Sequence, residues 1–262
     1  MAAGLETSTR IVLIIEYDGT NYHGSQAQIN APTIQGEIEK ALKKLTGERT
    51  RIKIASRTDA GVHAKGQVVS FDVNARLPMK SFIDGLNHYL PQDIAVKEVF
   101  KVEPSFDVRR RAVSREYRYY ILNSPTRSPI KQRFSWRVAG KLDTGAMNRA
   151  CQALIGRHDF ASFVSSAETA RQKRTVRDVF KAGITQDGDM VIFSITANSF
   201  LPHQVRNTIG SLIKVGQGKM TVGEFDSMIQ AAKPGLAAPT APSDGLFLVQ
   251  VNYPGPFNGD AL

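Results

Sequence analysis

The sequence predicts an α+β protein made of two βαββαβ halves, the ferredoxin-like order, with antiparallel sheets. Three observations predict it. Strand-like segments alternate with segments of helical period, and the same order recurs twice along 262 residues. Asp187-Gly188 between two apolar runs is a hairpin signal, so neighbouring strands there run antiparallel. A break at residues 104–108, opened by Pro104, separates the two runs of elements, so the expected halves are 1–107 and 108–262. No sequence repeat accompanies the pattern, and the duplication is one of element order alone.

The first half reads as follows. Residues 11–17 are an apolar strand ended by Asp18-Gly19. Residues 33–45 are a helix, with Ile34, Ile38, Ala41, Leu42 and Leu45 on one face and Gly47 as its stop. Residues 51–55 are a short strand. Residues 67–73 alternate, with Gln67, Val69, Phe71 and Val73 on one face. Pro78 opens a helix carrying Phe82, Leu86 and Leu90, and residues 94–102 are a strand. In the second half, residues 116–122 are a strand with Tyr117, Tyr119 and Ile121 on one face, and 134–138 an additional strand. Asp143 or Thr144 caps a helix that carries Met147, Ala150, Cys151 and Leu154 and closes at Gly156. Residues 176–185 and 190–197 form the hairpin, and 203–215 a helix. Thr221 and Glu224 make a capping box for a further helix ending at Pro234-Gly235, and 246–251 is the last strand.

Composition narrows the function. A net charge of +10 is not spread evenly. Residues 108–137 hold nine bases and one acid, and 171–181 five bases and one acid, so the other segments together carry −2. Eleven of these fourteen bases are Arg, the side chain that grips phosphate with two parallel hydrogen bonds. A basic patch on a near-neutral body is the footprint of a nucleic-acid binder. The single cysteine, Cys151, excludes an intramolecular disulfide and a Cys-rich zinc site. No apolar run approaches the roughly 20 residues of a membrane span. The first ten residues lack the apolar core of a signal peptide, so a reduced, cytoplasmic location is expected.

Several chemistries have no carrier. No phosphate-binding Gly-rich loop ends in Gly-Lys-Ser/Thr, and no Gly-x-Gly-x-x-Gly follows a strand. The five histidines show no paired spacing, and carboxylates do not cluster as a two-metal site requires. An enzyme of this sequence is expected to need neither metal nor cofactor. What stands out is a polar loop between two strands, Arg57-Thr58-Asp59-Ala60-Gly61-Val62-His63-Ala64. Taken alone, Asp59 reads as a turn-forming loop aspartate, Tyr117 and Tyr119 as a core stripe with one wet end, and Arg206 as a solvated helix residue.

That loop resembles the signature of the TruA family of tRNA pseudouridine synthases. The likeness runs through Glu16-Tyr17-Asp18-Gly19-Thr20, Gly66-Gln67-Val68-Val69, the stretch from Phe106 to Arg109, Tyr117-Arg118-Tyr119, Val205-Arg206-Asn207, Ala238-Pro239-Thr240-Ala241-Pro242 and Gly245-Leu246. It implies two ferredoxin-like halves flanking a basic catalytic cleft. It also implies isomerisation of uridine to pseudouridine at positions 38–40 of the tRNA anticodon stem-loop, with no cofactor and no metal. The matching roles are Asp59 as the essential carboxylate, either nucleophile at C1′ or base in glycal formation, Tyr117 stacking on the extruded uracil, and Arg206 pairing with Asp59. Leu246 packs against the base, and Arg57 and Arg109 bind substrate. The family likeness further implies a homodimer with tRNA as its partner.

Three positions depart from the family pattern: Ser25 stands where Trp is usual, Ser56 where Gly is common, and Arg115 keeps a positive charge two residues before Tyr117. A non-catalytic RNA-binding module with the same fold and patch is the competing reading, and it gives the Asp59 loop no task. A structural protein with an acidic protein partner is a third, and it predicts no retention of tRNA.

Overall fold

The computed structural model describes residues 8–75, 77–171 and 174–255. They fall into two units: one runs to Val113 and takes the chain back from Leu248, and the other is Ser114–Phe247. The first holds β1 (Thr9–Tyr17), α1 (Ile34–Thr46), β2 (Lys53–Ile54), β3 (His63–Val73), α2 (Met79–Tyr89) and β4 (Ile94–Val102). The second holds β5 (Ser114–Asn123), β6 (Trp136–Val138), α3 (Thr144–Gln152), β7 (Gly156–Asp159), α4 (Ser166–Arg171), β8 (Val176–Asp187), β9 (Met190–Ala197), α5 (Gln204–Gly216) and α6 (Val222–Ala231). The last strand, β10 (Leu246–Asn252), begins in the second unit and ends in the first. The class is mixed α+β.

In the first unit β1 is central. It pairs antiparallel with β3 on one side and β4 on the other, and β2 pairs antiparallel with β3. Ile11, Leu13 and Ile15 of β1 are fully buried, as are Ile38 and Leu42 of α1 and Phe82 of α2. Phe71 and Phe82 stack at 6.0 Å between ring centres. Local chemistry sets the ends of α1. The Thr33 hydroxyl accepts the Gly36 N–H at 3.2 Å, and Gly47 closes the helix at φ +77°, a conformation that Cβ disfavours. The β1–β3 register shifts between Ile15 and Tyr17, an irregularity at the end of β1 where Tyr17 comes opposite Ala64.

The second unit pairs β5, β9, β8 and β7 in that order, all antiparallel, with the short β6 parallel to β5. Tyr119, Ile121, Val191, Phe193 and Ile195 bury the inner face, and Phe160, Phe163 and Phe225 form a second aromatic cluster beneath the helices.

Four expectations change in detail. The alternation at 67–73 does not expose one face: Val68 and Ser70 are as buried as Val69 and Phe71, and β3 starts four residues earlier. The helix expected to reach Leu154 stops at Gln152. There the N–H groups of Ala153, Leu154 and Ile155 reach back three residues instead of four, and Gly156, at φ +112°, starts β7. The hairpin turn falls on Gly188-Asp189, one residue later than expected, because Asp187 still pairs with Met190 and Gly188 supplies the positive φ. The last predicted helix ends at Ala231, because Ala232 turns left-handed before Pro234. β7 and α4 carry no clear periodicity and are not foreseen.

The capping box at α6 is formed as expected: Glu224 N–H donates to the Thr221 hydroxyl at 3.1 Å, and Thr221 N–H to the Glu224 carboxylate at 2.7 Å. Thr221→Ala is expected to cost about 1 kcal/mol, read as a lower urea midpoint with an unchanged slope.

Candidate active site

The loop between β2 and β3 is held by groups from outside it. Gln67 is fully buried. Its Oε1 accepts the Ser56 N–H at 3.2 Å, and its Nε2 donates to the Ser56 carbonyl at 2.6 Å. Thr58 is tied three ways. Its N–H donates to Ser25 Oγ at 2.9 Å, its carbonyl accepts the Ser25 N–H at 3.1 Å, and its hydroxyl shares a 2.8 Å hydrogen bond with Tyr17 OH. Ser25 is fully buried, so these bonds compete with no solvent. Beyond Asp59 the chain turns: Val62 N–H donates to the Asp59 carbonyl, Gly61 takes φ +75°, and Gly61 N–H donates to Tyr22 O. Asp59 itself is half-buried at the head of that turn, and Arg57 is exposed.

The segment after β1 makes this possible. A Cβ on Gly19 would lie 2.0 Å from Val62 O, so only glycine lets the two loops pass. Tyr22 OH donates to Asp93 at 2.5 Å and Asp18 N–H to Asp93 O at 2.9 Å, which fixes the segment to the start of β4. The buried His63 ring lies 3.1 Å by Nδ1 from both Gly19 N and Asp18 Oδ1.

Arg109 joins the same unit by another route. Asp107 Oδ1 accepts the backbone N–H groups of Arg109 and Arg110 at 2.9 and 3.0 Å, which holds its carboxyl below the usual range and sets both side chains on one turn. Arg57, Arg109 and Arg110 line a groove of about 300 Å³ with Arg51 and Lys53. The structure therefore brings Arg57 and Arg109 to one groove, where five bases face one acid, Asp107, with Asp59 two residues from Arg57.

The second unit holds Tyr117 on β5, Arg206 on α5 and Leu246 at the end of a strap, residues 238–246. Arg206 Nε donates to Ala241 O at 2.7 Å, and Ala241 N–H to Arg206 O at 3.2 Å. Thr240 donates to Asn207 Oδ1, and Ala238 N–H to Ser211 Oγ. Gly210 lets the strap touch α5: a Cβ there would lie 2.1 Å from Pro239 O. The far end of the strap is fixed to β5, because Tyr119 OH donates to Pro242 O at 2.8 Å and Tyr120 N–H to Gly245 O at 2.8 Å. Leu246, buried, follows at once. Tyr117 is also buried and meets Phe200 edge to face at 5.1 Å. His203 opens α5 at φ +59°, a strained conformation for a residue other than glycine, three positions before Arg206.

One reading of the basic segments needs correction. Arg115 is buried and donates to Asn198 O at 2.8 Å, so it belongs to the fold of the second unit. Lys173 lies outside the described residues. Sequence reasoning gave Ser25, Tyr17 and Gln67 no role at the site, although Tyr17 and Gln67 stand in the family motifs and Ser25 is a departure from them.

Burial pushes the Tyr17 phenol up to about 12. A folded value above the ordinary 10 means full stabilisation below about pH 10, lost as pH rises through 12. Tyr17→Phe is expected to cost about 1 kcal/mol at neutral pH. It should also make the alkaline loss of stability between pH 10 and 12 shallower, as followed by chemical denaturation at each pH. An unchanged alkaline limb would show that Tyr17 is not titrating there.

Comparison with known proteins now adds to this geometry. A family model described as tRNA pseudouridine synthase matches residues 13–109 and 150–254, spans that include Asp59, Arg206 and Leu246 and omit Tyr117. The chain is 43% identical over 243 residues to tRNA pseudouridine synthase A of Acetivibrio thermocellus, covering 93% of this chain and 99% of that one. It is 41% identical over 245 residues to tRNA pseudouridine synthase A of Myxococcus xanthus, covering 93% and 92%. Among solved structures, a chain of the archaeal box H/ACA sRNP Nop10-Cbf5 complex aligns with a TM-score of 0.31 at 11% identity, over 78% of this chain and 43% of that one.

Proposed function

The chain belongs to the tRNA pseudouridine synthase family, and from that premise we propose how its own residues perform the reaction. It is a pseudouridine synthase, an intramolecular isomerase acting on uridine in the anticodon stem-loop. We place its targets at positions 38–40. The N1–C1′ bond breaks, the uracil turns over, C5 bonds to C1′, the proton on C5 leaves and N1 regains one. Atoms balance without an outside reagent.

A uracil in a stem cannot show C1′ and C5 to one carboxylate, so the nucleotide is extruded. Asp59 is the carboxylate that acts at C1′. The observation that carries this assignment is the three-way anchoring of Thr58, its neighbour, by Ser25 and Tyr17. Such anchoring costs nothing at the moment of reaction and fixes where the carboxylate starts. Tyr117 replaces the stacking that the extruded base loses, worth roughly 1–3 kcal/mol, and Leu246 packs against it. Arg206 is the cationic partner that keeps a carboxylate charged away from water, and an Arg holds that charge where a Lys can lose it. Arg57 and Arg109 hold phosphates, which position the RNA without reading its sequence.

The finer fold reading goes with this one. We take the two units as ferredoxin-like halves. The β4-β1-β3-β2 antiparallel order of the first unit supports the ferredoxin-like part. A cytoplasmic homodimer is carried over from the family resemblance. Among the described residues no helix is long and apolar enough to cross a membrane.

The test is tritium release from tRNA labelled at uridine C5, since that hydrogen leaves only when the new bond forms. Asp59→Asn is expected to lower release on the order of 10³-fold or more while tRNA binding survives. Near wild-type release would remove Asp59 from the chemistry. Arg206→Ala should cut turnover roughly 10²-fold with a small change in affinity. An equal loss of both would make Arg206 an ordinary phosphate contact.

A further inference from the structure

A second basic groove lies beside the one just described. Residues 40–53 hold six bases and one acid, a density of positive charge that matches the segments at 108–137 and 171–181. In the fold, four of these bases converge. Lys40 and Lys43 on α1 and Arg49 and Arg51 on the chain leading to β2 line a groove of about 360 Å³, with Glu39 as its one acid. Arg51 also lines the Arg57–Arg109 groove, so the two share a wall.

The counter-charges are few. Lys40 pairs with Glu37 at 2.8 Å, and Arg51 approaches Glu39 at 3.7 Å. Lys43 and Arg49 are exposed and make no ion pair or side-chain hydrogen bond among the described residues. No apolar side chain lines the groove. A protein partner would need an apolar or aromatic anchor there, and a small organic ligand an apolar wall. The space amounts to on the order of ten waters, more than one small anion fills. Two exposed lysines at helical i, i+3 spacing on one side, Lys43 without an ion pair among the described residues, and arginines on the other suit a run of backbone phosphates.

We propose that this groove binds RNA backbone phosphates, extending the phosphate track from Arg57 and Arg109 across Arg51 to Lys43 and Arg49. The proposal rests on the tRNA reading above. It adds a binding surface along α1, next to the groove that Arg57 lines.

The test compares the salt dependence of tRNA binding by wild type, Lys43→Glu/Arg49→Glu and the charge-matched control Lys80→Glu/Lys101→Glu, whose residues are exposed on α2 and β4 of the same unit. Each phosphate contact contributes roughly 0.7–0.9 to the log–log slope. The groove variant should bind unmodified tRNA at least about tenfold more weakly, with a slope smaller by about 1.4–1.8, and the control should keep the wild-type slope. Lys43→Gln/Arg49→Gln, which adds no repulsion, should move the same way by less and guards against a misfolded swap. A slope unchanged in the groove variants, or changed equally in the control, overturns the proposal. So does loss of inorganic phosphate binding with the tRNA slope intact, which would mark a free-anion site. Wild-type protein that failed to retain tRNA would sink the underlying reading, whereas normal retention with unaltered variants sinks this groove alone.

Discussion

Everything at the Asp59 loop depends on how Thr58 is held. A loop between two strands has no ladder to fix it, and its backbone groups must find partners or stay wet. Here Ser25 takes the Thr58 N–H with its hydroxyl and returns its own N–H to the Thr58 carbonyl. Tyr17, at the end of β1, takes the threonine side chain. The irregular register at the end of β1 and the glycine at position 19 serve that arrangement: one brings Tyr17 opposite Ala64, the other lets the following segment cross Val62. The central strand of the unit thus carries its rigidity directly to the residue beside Asp59. Ser25 stands where the family usually has Trp, and its small, buried hydroxyl shows what that exchange can do here. It fills a hydrogen-bonding role next to the loop that an indole could not fill in the same geometry.

The second unit solves a similar problem with a different device. Residues 238–242 are too rich in Pro and Ala to fold by themselves, and they are laid along α5 by Arg206, Asn207 and Ser211. Gly210 makes the approach possible. Arg206 spends its Nε–H and its carbonyl on the strap, which locks the side chain's root. The strap then delivers Leu246 next to β5 through the Tyr119 hydroxyl and the Tyr120 N–H. A motif that looks like a loop of small residues in the sequence is a fastening between a helix and a strand.

What could be read from the sequence was local. Thr33 and Gly47 bound α1 because a cap and a left-handed stop act within one turn, and Thr221 and Glu224 mark α6 for the same reason. What could not be read depends on distant partners. β3 loses its alternation because both its faces are covered. α3 ends early because three N–H groups tighten onto closer carbonyls, a choice no periodicity records. The positive φ of His203 has no residue-type signal. In the candidate site the family motif pointed to Asp59 and Arg206, but Ser25 showed only as a departure, and Tyr17, at the end of an apolar strand, stood in a motif without a role. Counting charge by segment found the arginine-rich stretches and passed over residues 40–53, whose bases are divided among a helix end, a turn and a strand.

The most direct test of this account removes the hydroxyl that holds Thr58. In Ser25→Ala the buried Thr58 N–H loses its acceptor, a penalty of about 1–3 kcal/mol, next to the carboxylate proposed to do the chemistry. Tritium release from C5-labelled tRNA should fall about tenfold or more at saturating tRNA, with the tRNA dissociation constant and the overall fold little changed. Release at the wild-type rate would contradict the account, because Asp59 would then be placed by something other than the clamp on its neighbour.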